Sequence, residues 1–174
     1  MATVTVGGNT INLAGNSVSV GDLAPIVELA GKDLNSIKVG GSSDYTQVIA
    51  SVPSLDTAVC ATETRKFNEQ IAKIKGVKLT VVSMDLPFAM GRFCSVEGID
   101  SVVVGSDFRN KEFANKYGVL LSEGALAGLT SRAVFVVGKN GKILHKEIVS
   151  EVTSEPNYDA IKKAIKDNGG CSNC

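Results

Sequence analysis

The chain has 174 residues and 44% hydrophobic content, which suits one domain with a single sizeable core. Lys plus Arg total 18 and Asp plus Glu total 18, so no net field attracts nucleic acid or anionic lipid, and small neutral substrates or protein partners fit better. Met1 to Ser19 has neither a basic start nor a continuous apolar stretch, and no segment approaches the ~20 apolar residues of a membrane span; a soluble cytoplasmic protein without a leader is expected.

Thr3-Val4-Thr5-Val6 and Thr10-Ile11-Asn12-Leu13 alternate around Gly7-Gly8-Asn9, predicting an N-terminal β-hairpin. After a loop punctuated by Gly21 and Pro25, Ile26 to Leu29 and Thr46 to Val52 carry the β-branched content of strands, the second running straight into Pro53. From Thr57 to about Lys75, Val59, Phe67, Ile71 and Ile74 recur at helical spacing, with Glu63, Arg65, Lys66 and Glu69 mostly on the other face. Val77 to Met84 reads as a buried strand, and Asp85-Leu86-Pro87 ends it before a short helical segment holding Phe88, Met90 and Cys94.

Val102 to Val104 predicts a further strand, Lys111 to Tyr117 a helix, and Ala133 to Val137 a buried strand. The Asn140-Gly141 turn then makes Ile143 to Ile148 an antiparallel partner, and Pro156-Asn157 opens a last helix from Tyr158 to Lys166. This alternation predicts an α/β chain of thioredoxin-like fold, a mixed central sheet flanked by helices, parallel at the crossovers and antiparallel at the final hairpin. Residues 1–168 form the expected single domain, and 169–174 are a short Cys-containing tail.

Four cysteines in a reducing compartment do not make a structural disulfide framework, so each has to be placed separately. The run Pro53-Ser54-Leu55-Asp56-Thr57-Ala58-Val59-Cys60 lies between a strand and a helix. It delivers Cys60 to a helix N-terminus, where unpaired N–H groups and the positive end of the dipole favour the thiolate, the nucleophilic form. The spacing Pro53-x-x-x-Thr57-x-x-Cys60 resembles the active-site signature of the peroxiredoxins. Together with Phe93-Cys94-x-x-Glu97-Gly98, Ser106-Asp107-Phe108-Arg109 and the arginine of Gly128-Leu129-x-x-Arg132, it resembles the thiol peroxidase subfamily, of the atypical two-cysteine type.

The resemblance implies that Cys60 is the peroxidatic cysteine and attacks hydrogen peroxide or an organic hydroperoxide. It also implies that Cys94 resolves the resulting sulfenic acid as an intramolecular disulfide, that thioredoxin reduces this disulfide, and that the protein is a homodimer. No cofactor or metal enters this cycle. The chemistry asks for the same residue types: Thr57, within one turn of Cys60, is expected to reach the thiolate or the peroxide oxygen through its hydroxyl. Arg132, opening a strand, is expected to bring a fixed positive charge beside the thiolate and to polarise the peroxide. Pro53 presents an apolar ring that limits water in the pocket.

Because Cys60 and Cys94 fall in different helical segments, one or both helix ends must unwind before their sulfurs can join. Met84, Phe88 and Met90 read as core or rim, with an apolar wall for an alkyl hydroperoxide as the functional alternative. His145, the single histidine, reads as structural or exposed. The Cys171-Ser172-Asn173-Cys174 tail departs from the family pattern and reads as mobile and non-essential. Its alternatives are an auxiliary thiol pair or metal capture, and they leave open a thioredoxin-type disulfide oxidoreductase or a thiol-based metal-binding protein.

Overall fold

The computed structural model describes residues 2–167. Cys171 and Cys174, with every role considered for them, lie outside the described residues. Thr3–Val6 (β1) and Asn9–Ala14 (β2) form the expected antiparallel hairpin. Val27–Gly31 (β3) pairs with Ser36–Val39 (β4), a strand that the sequence did not announce because it is short, at an edge and half polar. Thr46–Ser51 (β5) is buried along its whole length and leads through Pro53 into the helix Ala58–Gln70 (α1). That helix stops short of the expected Lys75, although Ile71 in the turn that follows still packs in the core.

Val77–Ser83 (β6), Pro87–Glu97 (α2), Val103–Ser106 (β7), Glu112–Lys116 (α3) and Leu120–Leu121 (β8) follow. Ala133–Val137 (β9), Ile143–Ile148 (β10) and Tyr158–Asp167 (α4) complete the order. A seven-stranded sheet runs β10-β9-β5-β6-β7-β3-β4, parallel from β5 through β6 to β7 and antiparallel elsewhere. The hairpin strands join β8 in a separate sheet of order β1-β2-β8. Among the described residues no helix is long and apolar enough to cross a membrane.

The period of two along the central strands divides the core. Val48 and Ala50 of β5, Leu79 and Val81 of β6, and Val134 and Val136 of β9 face α1, α2 and α4. Ile49, Val82 and Phe135 point the other way, toward Phe113 of α3 and the adjacent Tyr117. Phe67 of α1 is fully buried and meets Tyr158 of α4 edge-on at 5.5 Å between ring centroids, fixing α1 against its neighbour. Burial of one such side chain contributes about 1.5–3 kcal/mol, so α1 is held by its middle and C-terminal half. Its N-terminal turn places Cys60 in the same core, with Arg132 as a polar partner of the sulfur.

Candidate active site

Antiparallel pairing of β5 with β9 sets Ser51 opposite Ala133, so Arg132 stands beside the end of β5, from which the chain turns into α1. This register brings Arg132 to Cys60 across 72 residues of sequence: its Nη2 donates to the Cys60 Sγ at 3.2 Å. The rest of the guanidinium is also committed, with Nε donating to the Val152 carbonyl oxygen at 2.9 Å and Nη1 to the Glu63 carboxylate. Cys60 and Glu63 have no exposed surface and Arg132 has 2%, so the three charges and dipoles interact with water excluded. Burial works against charge on Arg132, but Glu63 and Cys60 together raise its pKa above the ordinary guanidinium value.

Glu63 is a correction to the sequence reading, which put it on the solvent face of the helix. The buried face of α1 comprises Cys60, Glu63, Thr64, Phe67 and Asn68. Positions three and four after Cys60 lie directly above it on a helix, so the spacing itself was the signal; the charge argued the other way. One carboxylate oxygen pairs with Arg132 and the other, Oε1, is buried without a hydrogen-bond partner among the described residues. Burial pushes the Glu63 pKa up from 4.5 to about 7, with the Arg132 charge opposing that rise.

Thr57 caps α1 in an extended conformation (φ −117°, ψ 151°). Its hydroxyl donates to the Ser54 carbonyl oxygen at 3.0 Å, so the expected reach to the Cys60 sulfur is not made here. Being outside the helix proper, the Thr57 side chain turns back along the loop. Pro53 is buried, and Thr130 Oγ1 donates to the carbonyl oxygen of neighbouring Val52 at 2.7 Å. The loop is gripped from below by Asp85, whose carboxylate accepts from Ser54 Oγ, the Leu55 N–H and Ser83 Oγ, each at 2.7 Å.

Cys94 lies in the last turn of α2, where its carbonyl oxygen accepts from the capping N–H of Gly98 and from Ile99. Gly98 takes the left-handed φ of 65° that ends the helix and that a side chain would disfavour. Cys94 and Cys60 both face the core under α1 and α2, and neither is in a disulfide. Burial raises the Cys94 thiol above its ordinary pKa, with Lys32 opposing, so the folded chain keeps it protonated and quiet.

A cleft of about 500 Å³ opens between the loop and α2, lined by Leu55, Asp85, Ala89, Arg92, Phe93 and Val96 among others. Met84, Phe88 and Met90, considered for an apolar wall, do not line this cleft, and neither does Cys60. Positions 89, 93 and 96 share one face of α2, whereas Met90 and Cys94 point into the core and Phe88 is 69% exposed. His145, half-buried on β10, stands apart from this site.

The Redoxin family pattern matches residues 19–162. A thiol peroxidase of Campylobacter jejuni is 53% identical over all of this chain and 98% of its own length. Another, from Aquifex aeolicus, is 52% identical over 95% of this chain and 97% of its own. The chain belongs to the Redoxin family, in its thiol peroxidase group. Its fold recurs in the crystal structure of a peroxiredoxin-like protein from Aquifex aeolicus at a TM-score of 0.93 and 51% identity, over 96% of this chain and 97% of that one. A thiol peroxidase from Chromobacterium violaceum, 24% identical, shares the fold at a TM-score of 0.84 over 95% of each chain. The thioredoxin-like α/β architecture expected from the order of strands and helices is the architecture of this thiol peroxidase group.

Proposed function

We propose that this peroxiredoxin-type peroxidase reduces hydrogen peroxide and organic hydroperoxides through Cys60 and Cys94. The observation that carries the assignment is the 3.2 Å contact from Arg132 Nη2 to the Cys60 sulfur at the N-terminus of α1. The guanidinium brings a hydrogen bond and a fixed positive charge to the sulfur in the first turn of the helix. The thiolate attacks one peroxide oxygen and the O–O bond breaks. Cys60 becomes a sulfenic acid, and the departing alkoxide or hydroxide takes up a proton to leave as alcohol or water. Arg132 offers positive charge where that oxyanion develops.

The Cys94 thiol then displaces water from the Cys60 sulfenic acid, and the disulfide accepts two electrons and two protons from a thioredoxin dithiol to regenerate both thiols. On this reading the enzyme works in the cytoplasm, as an antioxidant peroxidase drawing on that compartment's thiol reductants. It works as a homodimer, for which the exposed Leu86 and Phe88 beyond β6 and Phe108 beyond β7 offer apolar surface. The test is peroxide consumption coupled to a thioredoxin system. Wild type turns over, and Cys60→Ser loses turnover entirely; substantial thioredoxin-dependent activity in that variant removes Cys60 from its role.

A further inference from the structure

Asp85 occupies a place that the peroxide chemistry itself does not use. It follows β6, where its N–H donates to Ser83 Oγ at 3.2 Å and its carbonyl oxygen accepts from Ser106 Oγ of β7. Two parallel strands thus fix its backbone. From that anchorage its carboxylate reaches across to Ser54 Oγ and the Leu55 N–H, both at 2.7 Å, and these residues belong to the loop that leads into α1. On its other side Asp85 directly precedes Leu86 and Pro87, the N-cap and first residue of α2. One acid therefore joins the entries of the two helices that carry Cys60 and Cys94.

A second tie, Arg65 to Glu97 at 2.8 Å, joins the same helices further along, but its side chains are 42% and 31% exposed and such a pair contributes little. Charge-assisted bonds to a carboxylate are the stronger kind, and of the two that Asp85 makes to the loop one comes from a backbone N–H that no side-chain change removes.

Cys60 and Cys94 are buried in different helices, and in the proposed cycle the start of α1 or the end of α2 opens locally before the two sulfurs join. We infer that Asp85 is the positioning residue that holds the loop at Ser54 and Leu55 closed, and so sets how fast the Cys60 sulfenic acid passes to the disulfide rather than to further oxidation. The inference rests on the assignment of Cys60 and Cys94 as the reacting pair. A tight clasp keeps the sulfenic acid folded in, where a second peroxide converts it to sulfinic acid; a loose one releases it to Cys94 sooner.

The experiment oxidises reduced wild type, Ser54→Ala and Asp85→Asn with one equivalent of hydrogen peroxide, following disulfide formation by rapid quench and sulfinic acid by mass spectrometry over a peroxide series. Disulfide formation is expected to accelerate in the order wild type, Ser54→Ala, Asp85→Asn, reaching roughly tenfold in the last if one charge-assisted bond is lost from the closed state. The peroxide concentration giving half sulfinic conversion should rise in the same order. Ser54→Ala keeps the Leu55 bond and serves should Asp85→Asn fold poorly. Unchanged or slower disulfide formation in folded variants, with only a lower Tm, overturns the clasp. Absence of a Cys60 to Cys94 disulfide in wild type instead overturns the assignment beneath it.

Discussion

The Arg132 guanidinium donates to the Cys60 sulfur at 3.2 Å while its remaining nitrogens hold the Val152 carbonyl oxygen and the Glu63 carboxylate. A planar fork serves three partners that a single ammonium cannot serve together. Arg132→Lys keeps the charge and loses the geometry. It is expected to lower the second-order rate of Cys60 oxidation by about 10²–10³, the range for removal of one preorganised donor. Stopped-flow oxidation of the reduced protein checks this. A loss below about threefold in a folded variant would mean that charge alone suffices.

Glu63 adds a pH dependence to stability. Its carboxyl has a pKa near 7 in the folded chain against an ordinary 4.5, because burial opposes the charged form more than Arg132 supports it. Between those values the native state binds more protons than the unfolded state, so stability from this group is complete below pH 4.5 and declines as pH rises through about 7. Glu63→Gln cannot titrate. The stability difference, wild type minus Glu63→Gln, should therefore shrink between pH 4.5 and pH 8, by about 1–3 kcal/mol in urea unfolding of the reduced proteins. A difference that widens with pH would show Arg132 winning over burial and holding the carboxylate ionised.

The Glu63 result marks where sequence reasoning reached and where it stopped. Strands buried on both faces, such as β5 and β9, are legible as apolar runs, and the position of Cys60 follows from the strand and helix on either side of it. Arg132 could be proposed for the site, but its commitment to Glu63 appears only when β5 and β9 pair, a contact across distant sequence. Asp85 read as the end of a strand because its partners Ser54 and Leu55 come from another part of the chain. Thr57, expected to reach the thiolate or the peroxide oxygen, has an extended N-cap backbone, and its hydroxyl donates to the Ser54 carbonyl oxygen rather than to the Cys60 sulfur, a detail its three-residue spacing could not show. The two-residue β8 carries no periodicity and exists through its pairing with β2.

Removal of the resolving thiol separates the two halves of the proposed cycle. Cys94→Ser is expected to react once with peroxide at a rate within about twofold of wild type, since Cys94 makes no contact with Arg132 that would alter the first step. Turnover with thioredoxin should then fail. The sulfenic acid, without its intramolecular trap, should accumulate sulfinic Cys60, visible by mass spectrometry as two added oxygens. Sustained thioredoxin-dependent turnover at wild-type rate would show that another thiol resolves Cys60.

Cys171 and Cys174 provide the test of whether that other thiol exists, because they are the remaining cysteines of the chain. The Cys171-Ser172-Asn173-Cys174 run is the part of the sequence that departs from the family pattern carried by Pro53, Thr57, Cys60, Cys94 and Arg132. Deleting residues 169–174 is therefore expected to leave steady-state peroxidase activity within about twofold, a barrier change well under 1 kcal/mol. Were the tail to relay electrons to the Cys60 to Cys94 disulfide, the deletion would slow only the reductive half-reaction and raise the apparent KM for thioredoxin, leaving Cys60 oxidation unchanged. Rapid mixing of each half-reaction separately distinguishes the cases. A tenfold loss confined to reduction assigns the tail a catalytic part, because the only thiols removed are its own.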